Sequence, residues 1–180
     1  MNNDKKVMKL VYTALMAAIV AVVTMAIPLP TPAGGIYNIG DSMVMLSGIL
    51  LGPIPGALAG GIGSFLADML LGYTQWAPWT LVIKAIEGLI VGRIVHKVYF
   101  KRDSKRFIIM FIPAAILAVI IITGGYYIAY GFISGSFAAA SIEVPGNIAQ
   151  GTISAVIAIT LGLALKNRLV KRKGSDTFND

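Results

Sequence analysis

Lys84 and Glu87 place a cation and an anion three residues apart within the apolar run 80–92. At that spacing both side chains lie on neighbouring positions of one helical face. An ionisable side chain at membrane depth is costly unless it is paired or lines a wet cavity, so by default it marks a functional site. Two interpretations follow: a self-neutralising pair that holds helices together, or a pair that faces a polar ligand.

A second polar group recurs along the last apolar segment. Glu143, Asn147, Gln150 and Ser154 follow one another at spacings of four, three and four, which places them on one stripe of a helix. A polar stripe on a membrane helix faces protein or water rather than lipid. These side chains therefore form either hydrogen bonds between helices or contacts with a ligand. Asp41 has the same two interpretations, because a carboxylate also suits the N-terminus of a helix.

Aromatic residues gather in two other places. The loop 72–79 contains Tyr73, Trp76 and Trp79, and Tyr127 lies in the far half of the fifth apolar segment. Such rings are common anchors at the membrane interface. They are equally able to stack on a flat ligand.

The chain has no motif for an enzyme reaction. It contains no cysteine, which excludes thiol catalysis and a thiolate metal site, and it has no P-loop sequence for ATP. A membrane enzyme remains an alternative, with carboxylates as acid and base groups, but no spacing specifies a reaction. We expect no catalytic residue, no metal and no cofactor.

Composition places the chain in the membrane. Of the 180 residues, 57% are hydrophobic and 13% are charged, against about 25% charged residues in soluble domains. The net charge of +7 does not indicate nucleic-acid binding, because the basic residues cluster beside apolar segments. The first apolar run is about 20 residues long, which favours a retained helix over a signal peptide.

The hydrophobic pattern predicts an all-α integral membrane protein, a single domain spanning residues 1–180. It is a compact bundle of six transmembrane helices at about 7–27, 41–51, 57–71, 77–99, 107–132 and 142–165. The second helix is short for a full span, so we expect part of the preceding loop to dip into the protein.

Charge distribution predicts the orientation. Three basic residues precede or begin helix 1, six lie between helices 4 and 5 (Arg93 to Arg106, including Arg102), and five follow helix 6. Only Lys84 lies elsewhere. By the positive-inside rule these clusters, and therefore both termini, are cytoplasmic.

The unusual polar and aromatic residues then converge on the outward half of the bundle. Aromatic walls with a few polar groups are typical of a small-molecule site, here open to the outside. The predicted ligand-binding residues are Tyr37, Asn38, Asp41, Trp76, Trp79, Lys84, Glu87, Tyr127, Glu143, Asn147 and Gln150.

The chain has no evident means of driving a ligand inward, which indicates a capture subunit with an energised partner. Ala14 and Ala18 form a small-residue face on helix 1 that allows close packing of another helix. That helix belongs either to the same chain or to a partner subunit.

Five motifs lie between residues 35 and 88: Gly35-Ile-Tyr-Asn-Ile-Gly-Asp41, Leu51-Gly-Pro-Ile-Pro-Gly56, Leu66-Ala-Asp-Met-Leu-Leu-Gly-Tyr73, Trp76-Ala-Pro78, and Ile83-Lys84 with Glu87-Gly88. Together they resemble the substrate-binding S component of energy-coupling factor (ECF) vitamin transporters, in the riboflavin-type branch that includes hydroxymethylpyrimidine and pyridoxine carriers. The resemblance extends over nearly the whole chain.

The resemblance implies six helices in the plasma membrane of a bacterium, a vitamin site near the outer face, and docking through Ala14 and Ala18. The partners it implies are a transmembrane T component and two ATPase subunits. We expect hydroxymethylpyrimidine or pyridoxine as ligand, with riboflavin or pantothenate as alternatives. The remaining alternative of another class is a scaffold protein whose polar groups are structural.

Overall fold

The computed structural model describes residues 3–101 and 103–175, so Arg102 of the central basic cluster lies outside the described residues. Long helices dominate this part of the chain. They are α1 (Asn3–Ala26), α2 (Asp41–Leu51), α3 (Pro53–Leu71), α4 (Ala77–Tyr99), α5 (Ser104–Ser134) and, after the short α6 (Phe137–Ala140) and a 3₁₀ turn (Ser141–Glu143), α7 (Val144–Ser175). Six of these helices, all except the four-residue α6, confirm the predicted six-helix architecture within the described residues.

The bounds of α2 and α4 coincide with the prediction, whereas the other four long helices are longer than predicted, although α1 ends one residue earlier and α7 begins two residues later. The prediction left residues 52–56 as a turn between helices 2 and 3. In the structure only Gly52 separates the two helices, and its φ of +92° ends α2. Pro53 then begins α3 directly, because proline is tolerated where the backbone N–H has no helical partner. At the start of α5, the Asp103 carboxylate accepts a hydrogen bond from the Arg106 backbone N–H at 2.9 Å.

The prediction placed Glu143 on helix 6, but α7 begins one residue later. Glu143 closes the 3₁₀ turn that enters α7. Val144 starts the helix with Pro145 in its first turn, a position where proline suits a helix N-terminus. Glu143 therefore lies at the mouth of the bundle rather than along the polar stripe.

A short β-hairpin, which the sequence did not predict, occupies the loop between α1 and α2. Strands β1 (Leu29–Pro30) and β2 (Ile36–Tyr37) pair antiparallel, with Leu29 opposite Tyr37. The chain then turns into the protein, and Gly40 and Asp41 are buried. The expectation that this loop dips into the bundle is therefore met at its end.

Four helical segments of the described chain are long and apolar enough to cross a membrane: Asn3–Ala26, Pro53–Leu71, Ser104–Ser134 and Phe137–Lys166. The 11 residues of α2 span only about 16 Å, roughly half of a hydrocarbon core of about 30 Å. α4 carries Lys84 and Glu87 within its apolar part. These two helices lie inside the bundle, where α2 contacts α3, α4 and α7, and α4 contacts α2, α3 and α5.

Glycines allow α2, α3 and α4 to cross in direct backbone contact. A Cβ added to Gly48 would lie 2.7 Å from the Gly88 carbonyl oxygen, and one added to Gly56 would lie 2.6 Å from the Gly48 Cα. A Cβ on Gly88 would collide with the Gly56 carbonyl oxygen. Because backbone rather than a flexible side chain fills each position, this crossing tolerates no larger residue.

We expect Gly88→Ala to lower the free energy of unfolding by about 1–3 kcal/mol, because the added methyl group forces α3 and α4 apart. Gly124→Ala is the matched control, since no described atom lies within 4 Å of a Cβ at that helical position. The control should be neutral or stabilising by up to about 1 kcal/mol. Thermal unfolding of both variants in detergent measures the difference, and equal melting temperatures would contradict the close crossing.

Candidate ligand-binding site

The centre of the site is a buried ion pair between α4 and α2. The Lys84 ammonium contacts the Asp41 carboxylate directly, and Lys84 Nζ lies 3.5 Å from Glu87 Oε2. These three residues are at most 1% exposed. A buried charge is stable only when it is paired, so the three side chains must be considered as one unit.

A chain of hydrogen bonds connects this ion pair to α7 and to the hairpin. Gln150 donates from Nε2 to Asp41 Oδ2 at 2.8 Å, and its Oε1 accepts from the Asn38 backbone N–H at 2.9 Å. The Asn38 side chain in turn accepts from the Gly40 backbone N–H at 2.8 Å. Polar groups from α2, α4, α7 and the hairpin are thus fixed relative to one another.

The hairpin is held over the end of the bundle by two further contacts. The Ala33 backbone N–H donates to Glu143 Oε1 at 2.9 Å, and Trp76 donates from Nε1 to the Gly34 carbonyl oxygen at 3.2 Å. Burial and the neighbouring Glu143 carboxylate raise the pKa of Tyr37 to about 12, so its hydroxyl stays protonated at neutral pH.

A cavity lies beneath the hairpin, with a volume of about 30 Å³. The residues around it come from α1, the hairpin, α3, the loop between α3 and α4, α4, α5, the 3₁₀ turn and the start of α7. They are Thr24, Thr31, Gly35, Ile36, Tyr37, Asn38, Ser64, Asp68, Tyr73, Trp76, Thr80, Lys84, Tyr126, Glu143 and Asn147. This space holds little more than one water molecule, so a larger ligand requires the surrounding residues to move.

Aromatic rings form one wall of the cavity. Trp76 is 5% exposed and packs edge-on against Tyr126, with ring centroids 6.0 Å apart. Tyr130 also packs against Trp76, with the two rings stacked and their centroids 5.8 Å apart. Lys84 Nζ lies 5.2 Å from the centre of the Tyr126 ring, a cation–π contact that joins the aromatic wall to the ion pair.

The structure brings most of the predicted site residues together. Six of them line the cavity: Tyr37, Asn38, Trp76, Lys84, Glu143 and Asn147. Asp41, Glu87 and Gln150 lie behind Lys84 or Asn38 as ion-pair and hydrogen-bond partners.

Trp79 and Tyr127 lie in a separate aromatic cluster outside the cavity. Trp79 stacks on Phe132 with ring centroids 5.9 Å apart, and Tyr127 packs against Phe137 at 5.8 Å. Trp79 lies on α4, three residues after Trp76 of the preceding turn, and α5 places Tyr127 directly after Tyr126. Of the two predicted tryptophans only Trp76 faces the cavity, and Tyr126 lines it in place of the predicted Tyr127.

Seven polar or aromatic cavity residues are not among the predicted ligand-binding residues: Thr24, Thr31, Ser64, Asp68, Tyr73, Thr80 and Tyr126. Asp68 carried a usable signal, because it is an ionisable residue in an apolar segment, as Lys84 is. Hydroxyl groups such as Thr24 and Thr80 carry none, since threonine in a membrane helix often bonds to its own backbone.

Some polar atoms at the site remain without partners. Among the described residues, Thr24 Oγ1, Asn147 Nδ2 and Glu87 Oε1 are buried and have no hydrogen-bond partner. Buried polar atoms are normally bonded, and each exception requires a reason. Thr24 and Asn147 line the cavity, which makes them candidates for contact with a bound molecule.

The alanines of α1 lie on two different faces of the helix. Ala17 packs inward, because a Cβ on Gly63 of α3 would collide with the Ala17 carbonyl oxygen. Ala14 and Ala18 are exposed. The small-residue face formed by Ala14 and Ala18 is therefore not used for packing within the described chain.

A multi-pass membrane fold with a polar, aromatic-lined cavity at one end of the bundle defines a membrane protein that holds a small molecule. Residues 4–167 match the sequence family of the ECF-type riboflavin transporter S component. The chain belongs to this family of transporter subunits. S components bind a small vitamin and work with the T and ATPase components of the ECF module, so the chain is not an enzyme.

Two individual proteins and one solved structure are similar to this chain. A protein of Pyrococcus woesei described only as uncharacterised is 35% identical over 83% of this chain and 96% of its own length. The thiamine precursor transporter HmpT of Lactococcus lactis subsp. cremoris is 26% identical over 96% of this chain and 93% of its own length. The solved structure of an S component of a bacterial ECF transporter superposes with a TM-score of 0.67 at 22% identity, over 91% of this chain and 98% of the other.

We expect Lys84→Met to destabilise the protein strongly, by about 3–5 kcal/mol, because it leaves the Asp41 carboxylate buried without its counter-ion. Asp41→Asn on the Lys84→Met background should recover much of this loss. Melting temperatures of the two single variants and the double variant form a cycle that isolates the pair. Additive losses would show that Lys84 and Asp41 do not depend on each other.

Proposed function

We propose that this protein captures a vitamin or vitamin precursor at the extracellular side of the plasma membrane of a bacterium and delivers it inward with an ECF ATPase module. The observation that carries the proposal is the cavity beneath the hairpin, where Trp76 and Tyr126 supply aromatic walls and Lys84, Asp68 and Asn147 supply polar groups. Such a lining is typical of small-molecule sites. Family membership supports the same conclusion.

The orientation rests on charge. The hairpin and the cavity lie at the end of the bundle where α2 and α4 begin, whereas the central basic cluster begins in the last two turns of α4 and continues into the start of α5. The positive-inside rule then places the cavity towards the outside and both termini in the cytoplasm.

Hydroxymethylpyrimidine or pyridoxine is the favoured ligand. Either is a single small ring, which suits a cavity that must enlarge from about 30 Å³. The relative from Lactococcus lactis carries a name that includes a thiamine precursor, in agreement with this class. Riboflavin is the second candidate because of the family's name, although its three fused rings need a larger displacement of the hairpin.

Pantothenate fits less well. Its carboxylate would require Lys84 as a partner, yet the Lys84 ammonium already contacts Asp41 and lies 3.5 Å from Glu87. A third carboxylate at this position would add a buried negative charge without a new cation.

Docking to the T component is assigned to the exposed alanine face of α1. Ala14 and Ala18 are free of packing within the described chain, and small residues allow a partner helix to approach closely in lipid. The ATPase subunits act through that T component.

Ligand binding is tested by titrating the purified chain, without partners, against the B vitamins and their precursors, with calorimetry and thermal shift as readouts. We expect one small heterocycle to bind and to raise the melting temperature, because a ligand that binds only the folded state stabilises it. A panel without a single binder would contradict the capture role.

Docking is tested separately with Ala14→Trp and Ala18→Trp, which fill the small-residue face. Both should abolish uptake in cells that express the ECF module while ligand binding by the purified chain is retained. Ile120→Trp on α5 is the control, because Ile120 is 59% exposed and lies on another helix, so uptake should persist. Loss of binding in the alanine variants would instead assign this face to the chain's own fold.

A further inference from the structure

We propose that the cavity selects its ligand by charge: Asp68 accepts hydrogen bonds from an amino group or protonated nitrogen of a planar heterocycle, and anionic vitamins and phosphate esters are excluded. This inference rests on the proposed function and narrows it to a chemical class. It assigns a recognition role to Asp68, which is not among the ligand-binding residues predicted from the sequence.

Charge balance at the cavity is the first argument. Lys84 is the one cation among the described residues that line it, whereas Asp68 and Glu143 line it as anions. Asp41 and Glu87 lie directly behind and share Lys84 as their counter-ion. Negative groups therefore outnumber positive groups, and a ligand that brings positive charge or N–H donors restores the balance.

Asp68 occupies a position suited to this role. It is only 4% exposed, lies in the last turn of α3, and has its side chain beside the Thr80 hydroxyl at the cavity wall. Its backbone is fixed, because the Asp68 carbonyl oxygen accepts a hydrogen bond from the Tyr73 N–H at 2.8 Å. A carboxylate held in this way is an acceptor of fixed position, and hydrogen bonds to a charged acceptor are the stronger kind.

Two unpartnered atoms provide an independent indication of a ligand. Asn147 is 3% exposed and Thr24 is 2% exposed, and within the described residues Asn147 Nδ2 and Thr24 Oγ1 have no hydrogen-bond partner. Asn147 Nδ2 is a donor, so it needs an acceptor such as a ring nitrogen or a hydroxyl oxygen. The ligand should therefore present both a donor for Asp68 and an acceptor for Asn147.

An amino-substituted pyrimidine has this combination, since its exocyclic amino group donates and its ring nitrogens accept. A pyridine that carries an aminomethyl group satisfies the same two contacts. The aromatic wall formed by Trp76 and Tyr126 suits the flat face of either ring.

Anionic ligands meet the opposite situation. A carboxylate or phosphate in the cavity would face Asp68 and Glu143 without an unpaired cation, because Lys84 is already bound to Asp41. Like charges brought together on binding are a strong means of rejecting a competitor.

The test compares matched ligands on the purified full-length chain by calorimetry. The pairs are hydroxymethylpyrimidine with its phosphate, pyridoxamine with its phosphate, and riboflavin with its phosphate, and pantothenate is added as a carboxylate. We expect each phosphate ester to bind at least about 100-fold more weakly than its parent, because like-charge contacts cost several kcal/mol. Equal affinities within any pair that binds would overturn the inference and leave the proposed function intact.

A variant then assigns the selectivity to Asp68. Asp68→Asn should weaken binding of the amino-bearing ligand by at least about tenfold, since it removes a charged acceptor, and should reduce the penalty for its phosphate. Asp103→Asn is the matched control. It makes the same chemical change away from the cavity, because Asp103 caps α5 at the other end of the bundle. Unchanged affinities in Asp68→Asn would overturn the role of Asp68, whereas a panel in which nothing binds would overturn the proposed function itself.

Discussion

The buried ion pair between Lys84 and Asp41 is the constraint on which the rest of the site depends. Neither charge is stable at this depth alone, so α2 and α4 must keep them in contact. The glycine crossing of α2, α3 and α4 makes that contact possible, because any side chain at Gly48 or Gly88 would separate the helices. Gln150 then bonds the same carboxylate and brings α7 into the unit.

The hairpin depends on this unit in turn. Asn38 is bonded to Gln150, Ala33 to Glu143, and the Gly34 carbonyl oxygen to Trp76, so the cavity is covered by a segment held through a few polar contacts. Leu29 of the hairpin is 57% exposed and contributes little to its packing on the bundle. The apolar core around Tyr99 and Phe107 lies at the other end of the bundle from this cover.

Much of this architecture was predictable from the sequence, and the reasons are physical. Hydrophobic length determined the six long helices, and the cost of burying charge pointed to Lys84, Glu87 and the polar residues of α7. The hairpin was not predictable, because two paired residues per strand leave no periodic signal. The choice of Tyr126 over Tyr127 and of Trp76 over Trp79 depends on helix rotation, which packing decides. The contact between Lys84 and Asp41 was not predictable either, since only the structure shows that Asp41 is the partner of Lys84.

The two tryptophans give the most direct test of the central claim, that the cavity beneath the hairpin holds the ligand. Trp76 lines the cavity and Trp79 lies outside it. In the Trp79→Phe variant, titration with a bound ligand other than a flavin should change the Trp76 emission in a saturable way, with the midpoint found by calorimetry. In Trp76→Phe, the Trp79 emission should stay constant over the same titration. Binding that leaves Trp76 unchanged and alters Trp79 would place the ligand elsewhere and contradict the account.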